Sequence, residues 1–375
     1  MKKIKVLIID TDLLVHQTFA QVLNEDEFEV AGIRGDTDKT QSVIEKFKPD
    51  VILLNIESTK EDDFNIFKQL RNRVPQLPVI ILSRKNEIGA EVAISALRNG
   101  AVDFITKPEK HTGILFSEEH FEKRLKSIIK AAVKIEDLEE KLNIYSGSAS
   151  EFHRTFNNLN PKKPERRSSI SLVVIGSCLG GPHALFSLIP NLPANLSVPI
   201  VITQHFPKMY TKVLADRLKA ESKVMVQEAY DDARLTSGQV WIAPGGYHTE
   251  IAKNGDTAFL KVHHGDRIND VRPNIDLLFE SAARSYRKQL MGIILSGCGT
   301  DGLKGARKIK EAGGQLFVQN PRMSLAAEMP LAILKEGLAN DYLDTQQLAS
   351  EIVKRSSEVE EGDISSQNRT TGHIR

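Results

Sequence analysis

Short apolar runs alternate with amphipathic stretches in two separate blocks, and that alternation constrains this chain more than any other feature. In the first block the runs are IKVLII (4–9), FEVAGI (28–33), VILLNI (51–56), PVIILS (78–83) and AVDFIT (101–106). Between them lie segments such as LVHQTFAQVL (14–23) and AEVAISALRNG (90–100), with Gly100 placed as a helix stop. Strands that are apolar along their whole length are buried on both faces, so the pattern predicts a parallel sheet built from βαβ units.

A further helical stretch, 117–142, carries Phe121, Leu125, Ile128, Ile129 and Ala132 at helical spacing. It is expected to close the first domain and continue as a polar helix. The Ser- and Asn-rich tract 146–169 reads as an interdomain tether, and its Lys162, Lys163, Arg166 and Arg167 as solvated charge rather than a nucleic-acid contact. From Ser171 the alternation resumes with SLVVIG, VPIVITQ (198–204), MGIILSG (291–297) and GGQLFVQ (313–319). The stretch 239–265, with Gly245-Gly246 and Asn254-Gly255, is expected to form antiparallel hairpins instead. The polar end, 356–375, is expected to be disordered.

Composition narrows the classes. With 41% hydrophobic and 26% charged residues and a net charge of +1, the chain has no global field to attract nucleic acid or an acidic membrane. No apolar run approaches the roughly 20 residues that span a bilayer. Asp10 and Asp12 interrupt the N-terminal run before it can serve as a signal peptide. Two cysteines make no disulfide framework and fit a reducing, cytoplasmic location.

In an open parallel sheet, function gathers at the carboxyl ends of the strands. In the first block those ends carry Asp10, Asp12, Asn55, Ser83 and Thr106-Lys107-Pro108. The set resembles the receiver domain of bacterial response regulators, over residues 1 to about 130. In that family two adjacent acids hold Mg²⁺, an aspartate ending the third strand accepts a phosphoryl group, and Ser/Thr and Lys sense it. Here the acceptor position is Asn55, and the second acid, Asp12, stands one place late. An amide is no nucleophile and brings no charge to a cation. Asp62 and Asp63, in the loop that follows, are poor substitutes. The resemblance therefore implies a flavodoxin-like (βα)5 receiver fold in which phosphorylation is not expected.

In the second block, Gly176-Ser177-Cys178-Leu179-Gly180 is G-x-C-x-G, a thiol form of the strand–turn–helix nucleophile elbow. GSCLGG lacks the G-x-G-x-x-G of dinucleotide binding, and nothing reads as a DNA-recognition helix. His205 follows the next strand and Asp301 a later one, so a thiol, an imidazole and a carboxylate fall at one sheet edge. Each also has a plainer reading: Cys178 as a small buried apolar residue, His205 as a satisfied core histidine, Asp301 as a helix cap. Asp301 is expected to combine capping the helix that starts near Gly302 with orienting His205. Cys298 and Cys178 show no recognisable ligand spacing, so no metal is expected and a redox pairing is disfavoured. His183 and His248 are equally open as substrate contacts or as neither.

At these residues the chain resembles the chemotaxis protein-glutamate methylesterases, whose motifs read IGASTGGP, QHMP, RPSVD and LTGMGDDG. This chain has IGSCLGGP (175–182), QHFP (204–207), RPNID (272–276), LSGCGTDG (295–302) and the fitting APGGYH (243–248). The resemblance implies a receiver-like domain over 1–134, a linker over 135–169, a doubly wound, mostly parallel catalytic domain over 170–356, and a tail over 357–375. It implies hydrolysis of glutamyl methyl esters, and deamidation of glutamines, on methyl-accepting chemotaxis receptors, without a cofactor. Cys178 takes the place of the family's serine, and His205 and Asp301 stand at its histidine and aspartate. Leu179, Gly180, Gly181, Cys298 and Gly299 are the oxyanion-hole candidates. A chemotaxis kinase or another partner is expected on the receiver face, with no nucleic acid and no membrane insertion. The competing expectation is a catalytically degenerate homologue that binds receptors or partners.

Overall fold

The computed structural model describes residues 3–23, 26–34, 37–57, 61–107, 119–144 and 169–357. The first block folds as β1 (Ile4–Ile9), α1 (Leu13–Val22), β2 (Phe28–Ile33), α2 (Thr37–Phe47), β3 (Val51–Asn55), α3 (Glu61–Arg73), β4 (Val79–Ser83), α4 (Glu87–Arg98), β5 (Asp103–Thr106) and α5 (Glu119–Ile144). Its strands pair in parallel in the order β2-β1-β3-β4-β5, the flavodoxin-like arrangement. Because side chains alternate along a strand, Val6, Ile8, Leu53 and Leu82 enter one apolar cluster while Leu7, Ile9, Leu54 and Ile81 enter another. Both faces are thus covered. Phe121, Leu125, Ile128, Ile129 and Ala132 of α5 are all buried, and their cluster extends to Leu179 and Ala326 of the second block.

The second block runs β6 (Leu172–Ser177), α6 (Gly181–Leu188), β7 (Ile200–Gln204), α7 (Tyr210–Glu221), β8 (Met225–Glu228), β9 (Gln239–Ile242), β10 (His248–Asn254) and β11 (Thr257–His263). It continues with α8 (Ile275–Tyr286), β12 (Leu290–Ile294), α9 (Leu303–Glu311), β13 (Gln315–Gln319), α10 (Glu328–Lys335), β14 (Asp341–Leu343) and α11 (Thr345–Ser357). A fully parallel sheet forms in the order β14-β13-β12-β6-β7-β9-β8. Strand order reverses beside β6, which opens a crevice at the carboxyl ends of β6 and β12.

Within 239–265 the structure corrects the sequence in part. Only the Asn254-Gly255 turn makes a hairpin, β10 with β11 in antiparallel register. Residues Gln239–Ile242 instead join the parallel sheet between β7 and β8. Val240, Trp241 and Ile242 are all buried, the mark of a strand covered on both faces. Gly246, at φ +81°, turns the chain out of the sheet towards the hairpin. The tether cluster Lys162, Lys163, Arg166 and Arg167, Pro108, the tail 358–375 and the side chains of Asp62 and Asp63 lie outside the described residues.

The two blocks pack through the β4–α4–β5 side of the first. Phe104 stacks on Tyr210 at a ring separation of 4.5 Å and meets Phe206 edge-on at 4.9 Å. Ser83 Oγ and the Tyr210 hydroxyl are 2.8 Å apart, and that hydroxyl donates to the Arg84 carbonyl at 2.7 Å.

Candidate active site

Cys178 is the first residue past β6, at the reversal point of the sheet. Its N–H donates to the Ser296 carbonyl at 3.0 Å, which ties the elbow to the loop after β12. Gln204 braces the other side: it accepts from Ser177 Oγ at 2.6 Å and donates to the Cys178 carbonyl at 2.8 Å. Gly180 starts α6 at φ +76°, and a Cβ there would lie 2.6 Å from Ser296 Oγ. Only glycine serves both the backbone angle and the close approach.

His205 leaves β7 with its N–H bonded to the Ser177 carbonyl at 3.1 Å, and its ring lies buried beside the thiol. Its Nε2 donates to Asp301 Oδ2 at 2.7 Å, and the ring acts electrostatically on the Cys178 thiol. Asp301 collects four further donors: Asn274 Nδ2 (2.8 Å) and the backbone N–H groups of Ile275 (2.8 Å), Gly302 (3.0 Å) and Asp276 (3.2 Å). Sequence reasoning placed Asp301 at the start of its own helix, α9. The carboxylate instead serves chiefly the N-terminus of α8, whose orphan donors and dipole favour a negative charge there.

The charges follow from this geometry. Burial pushes the Cys178 thiol up, but the charge of His205 and the hydrogen bond between them outweigh it and hold the thiol below its ordinary value. Burial also opposes charge on His205, yet the Cys178 and Asp301 anions raise it to about 10. Asp301 is pushed up by burial and pulled further down by His205 and the α8 N–H groups, so it stays ionised. A thiolate–imidazolium–carboxylate array results. Cys298, by contrast, is driven well above the ordinary thiol range by burial and then by the Cys178 and Glu328 anions.

Of the five oxyanion candidates, Gly181 already donates to the Cys178 carbonyl (3.0 Å) and Gly299 to Glu328 (2.8 Å). The N–H groups of Leu179, Gly180 and Cys298 make no hydrogen bond among the described residues and flank the thiol. His183 is turned away, its Nε2 against the Ala101 carbonyl of the first block at 2.8 Å. His248 holds the Asp266 carbonyl at 2.7 Å and packs on His263.

Sequence reasoning missed Gln204, Ser296 and Asn274, although the motifs QHFP, LSGCGTDG and RPNID contain all three. It also missed Asp103 and Arg124, which act on the Cys178 thiol from β5 and α5. No local pattern could have signalled those two, because they reach the site only through domain packing.

In the pocket at the carboxyl end of the first sheet, Asn55 ends β3. Asn55 Nδ2 donates to Asp10 (3.2 Å) and Glu57 (2.6 Å), and the Asp12 N–H donates to Asp10 (2.9 Å). Lys107 lies 3.3 Å from Asp10 and 3.5 Å from Glu57, and Arg84 pairs with Glu57 as well. An ammonium and an amide NH₂ thus occupy the ground between the two carboxylates. Those donors do not fit a divalent cation, which needs converging oxygens. Among the described residues no three His, Cys, Asp or Glu side chains are placed to hold a metal ion, and no helix is long and apolar enough to cross a membrane.

Fold and site together define a two-domain protein in which a receiver-type sheet lies over a thiol–imidazole–carboxylate triad. The chain matches the family model for CheB methylesterase over residues 173–352 and that for the response regulator receiver domain over 6–116. It belongs to the CheB protein-glutamate methylesterase family. A protein-glutamate methylesterase/protein-glutamine glutaminase of Trichodesmium erythraeum is 34% identical over 356 residues, which is 95% of this chain and 99% of that one. One of the same description from Thermotoga maritima is 32% identical over 352 residues, 94% of this chain and 98% of that one. The crystal structure of the Thermotoga maritima CheB methylesterase catalytic domain covers 50% of this chain and 98% of its own, at 38% identity and a TM-score of 0.49.

Proposed function

We propose that the chain hydrolyses glutamyl methyl esters on chemotaxis receptors, and deamidates receptor glutamines, through Cys178, His205 and Asp301. The observation that carries this reading is the His205–Asp301 bond of 2.7 Å beside a Cys178 thiol that His205 holds below its ordinary value. The Cys178 thiolate attacks the ester carbonyl carbon, and the oxyanion meets the unoccupied N–H groups of Leu179, Gly180 and Cys298. The His205 imidazolium gives its proton to the departing methoxide, which leaves as methanol. Neutral His205 then takes a proton from water as that water attacks the thioester, and glutamate is released. Asp301 keeps the ring oriented and stabilises its charged form.

Control in this reading is mechanical. Asn55 offers no phosphorylation site, and the receiver covers the thiol through β5 and α5. A partner that takes the β4–α4–β5 face competes with the domain interface and uncovers the site.

The test is methanol release from methylated receptor by the full-length protein and its Cys178→Ala and Cys178→Ser variants. Release lost in the alanine variant is expected. A silent parent that is revived by serine would reject the thiol mechanism and favour a degenerate homologue that binds receptors.

A further inference from the structure

The chain has two cysteines in 375 residues, and the fold brings both to one pocket from distant strands. Cys178 is bonded through its N–H to Ser296, two residues before Cys298. A Cβ added to Gly297, the residue between, would lie 2.9 Å from the Cys178 Cβ. Both thiols are half-buried and pack against the same apolar cluster under the receiver. The proposed esterase chemistry uses only the backbone N–H of Cys298, so its thiol has no part in that mechanism. Cys298 sits between Gly297 and Gly299, and Gly299, at φ +79°, has open space on its Cβ side. Gly297 bonds to Ala326 and Met329 and Gly299 to Glu328, which hold this loop in place, and a disulfide between the two thiols requires a Cα spacing below about 7 Å.

We infer that Cys178 and Cys298 form a reversible redox pair that hydroperoxides close into a disulfide. The Cys178 thiolate attacks one peroxide oxygen; the S–O bond forms and the O–O bond breaks. The displaced hydroxide takes the His205 proton and leaves as water, so Cys178 is oxidised to its sulfenic acid and the peroxide is reduced. Oxidation removes the Cys178 anion that helps to hold the Cys298 proton, and the Cys298 sulfur attacks the Cys178 sulfur as that proton departs; the S–S bond forms and the S–O bond breaks. Hydroxide and the Cys298 proton leave together as a second water. A dithiol reductant reopens the bridge. The pair would close the site under oxidative stress and keep Cys178 from irreversible over-oxidation. Spacing along the sequence gave this pairing no support, because the contact is created only where the loop after β12 folds against the β6 elbow.

The experiment treats the reduced full-length protein with a stoichiometric amount of hydrogen peroxide, then digests it without reductant for mass spectrometry. The expected product is a linked Cys178–Cys298 peptide pair, two hydrogens lighter than the separate peptides, with both titratable thiols lost and both restored by dithiothreitol. In Cys298→Ser, Cys178 should stop at a dimedone-reactive sulfenic acid, and a second equivalent of peroxide should carry it to sulfinic acid that dithiothreitol does not reverse. Parent protein in which Cys298 stays alkylatable after peroxide, or in which neither thiol reacts, overturns the inference. The readout needs no ester substrate, so a bridge without methanol release would sink the esterase reading alone, and the converse result would sink this one alone.

Discussion

Replacing Asp301 with asparagine tests whether the carboxylate orients His205 or only caps a helix. The carboxylate accepts five hydrogen bonds and offers none: from His205, Asn274, Ile275, Asp276 and Gly302. An amide has one accepting oxygen and must turn its NH₂ either towards His205 and the Ile275 N–H, which share Oδ2, or towards Asn274, Asp276 and Gly302, which share Oδ1. Whichever way it lies, at least two charge-assisted bonds are replaced by donors facing a donor. Each such bond is worth about 1.5–3 kcal/mol, so a stability loss of about 2–4 kcal/mol is expected. The catalytic loss should be larger, about 10³–10⁴-fold, because a misoriented imidazole also loses the anion that stabilises its charge. His205, raised to about 10 in the parent, loses part of its support and its titration moves down. The stabilisation it brings is complete below the ordinary histidine value and is lost as pH rises through that folded value, so the variant sheds it at lower pH. Cys178 is held down largely by His205, so its thiol should titrate higher in the variant. Ultraviolet absorbance of the thiolate through a pH titration reads this directly. Cys298 does not interfere, because burial and the neighbouring anions put its titration far above that of Cys178. Asn274→Ala is the control: it removes one donor to Asp301 and the cap on Leu277, costs about 1 kcal/mol, and should slow turnover less than about tenfold. An Asp301→Asn protein with unchanged thiolate titration and a rate within about tenfold of the parent would refute the orienting role and leave only the cap.

Two further outcomes follow from the interface. Asp103 is buried and raised to about 6, by burial first and against the pull of Arg124 and the Phe104 N–H. A raised carboxyl binds its proton more tightly folded than unfolded, so its contribution falls as pH climbs from its ordinary value through about 6. Asp103→Asn should therefore raise the melting temperature at about pH 8 and change it little near pH 4, and an equal shift at both would reject the assignment. Tyr210→Phe deletes the bonds to Ser83 and the Arg84 carbonyl while keeping the ring on Phe104. Leaving buried Ser83 without that partner costs about 1–3 kcal/mol, so alkylation of Cys178 by a bulky thiol reagent should quicken about tenfold. No change in that rate would show that the interface does not govern access.

Much of the architecture was legible in the sequence, because buried parallel strands announce themselves as uninterrupted apolar runs. The runs around Leu7, Ile52, Ile80, Val174, Ile202 and Ile293 all became strands of the two parallel sheets. Edge strands were not legible: Met225–Glu228 and Asp341–Leu343 are short, partly exposed and lack an apolar run. Residues 239–265 misled because paired glycines mark any tight turn, and Gly246 turns the chain without pairing the strands beside it. At the site, motif spacing placed Cys178, His205 and Asp301 at strand ends, where the sheet does gather them. The partner of each ring nitrogen and the identity of the capped helix depend on three-dimensional approach, which no spacing encodes.

The first domain's pocket bears on the mechanical control proposed for the thiol. Lys107 is neutralised by Asp10 and Glu57, and Glu57 is held in turn by Asn55 and Arg84. Burial raises the Glu57 carboxyl, but Asn55, Lys107 and Arg84 bring it below its ordinary value, so this anion persists at neutral pH. Ser83, at the end of β4, faces outward to Tyr210 rather than into that pocket. Tyr210 begins the helix that follows His205, and Phe206 and Tyr210 share the Phe104 ring, so the interface and the triad meet in one short segment. The Ser83–Tyr210 bond and the Phe104 stack contribute about 1 kcal/mol each, small against the cost of fully separating two apolar faces. A partner opens the arrangement only by a differential affinity that matches the cost of separation, each ~1.4 kcal/mol of it shifting the equilibrium tenfold. In the proposed control, docking on the β4–α4–β5 face would do by competition what phosphorylation at an aspartate would otherwise do.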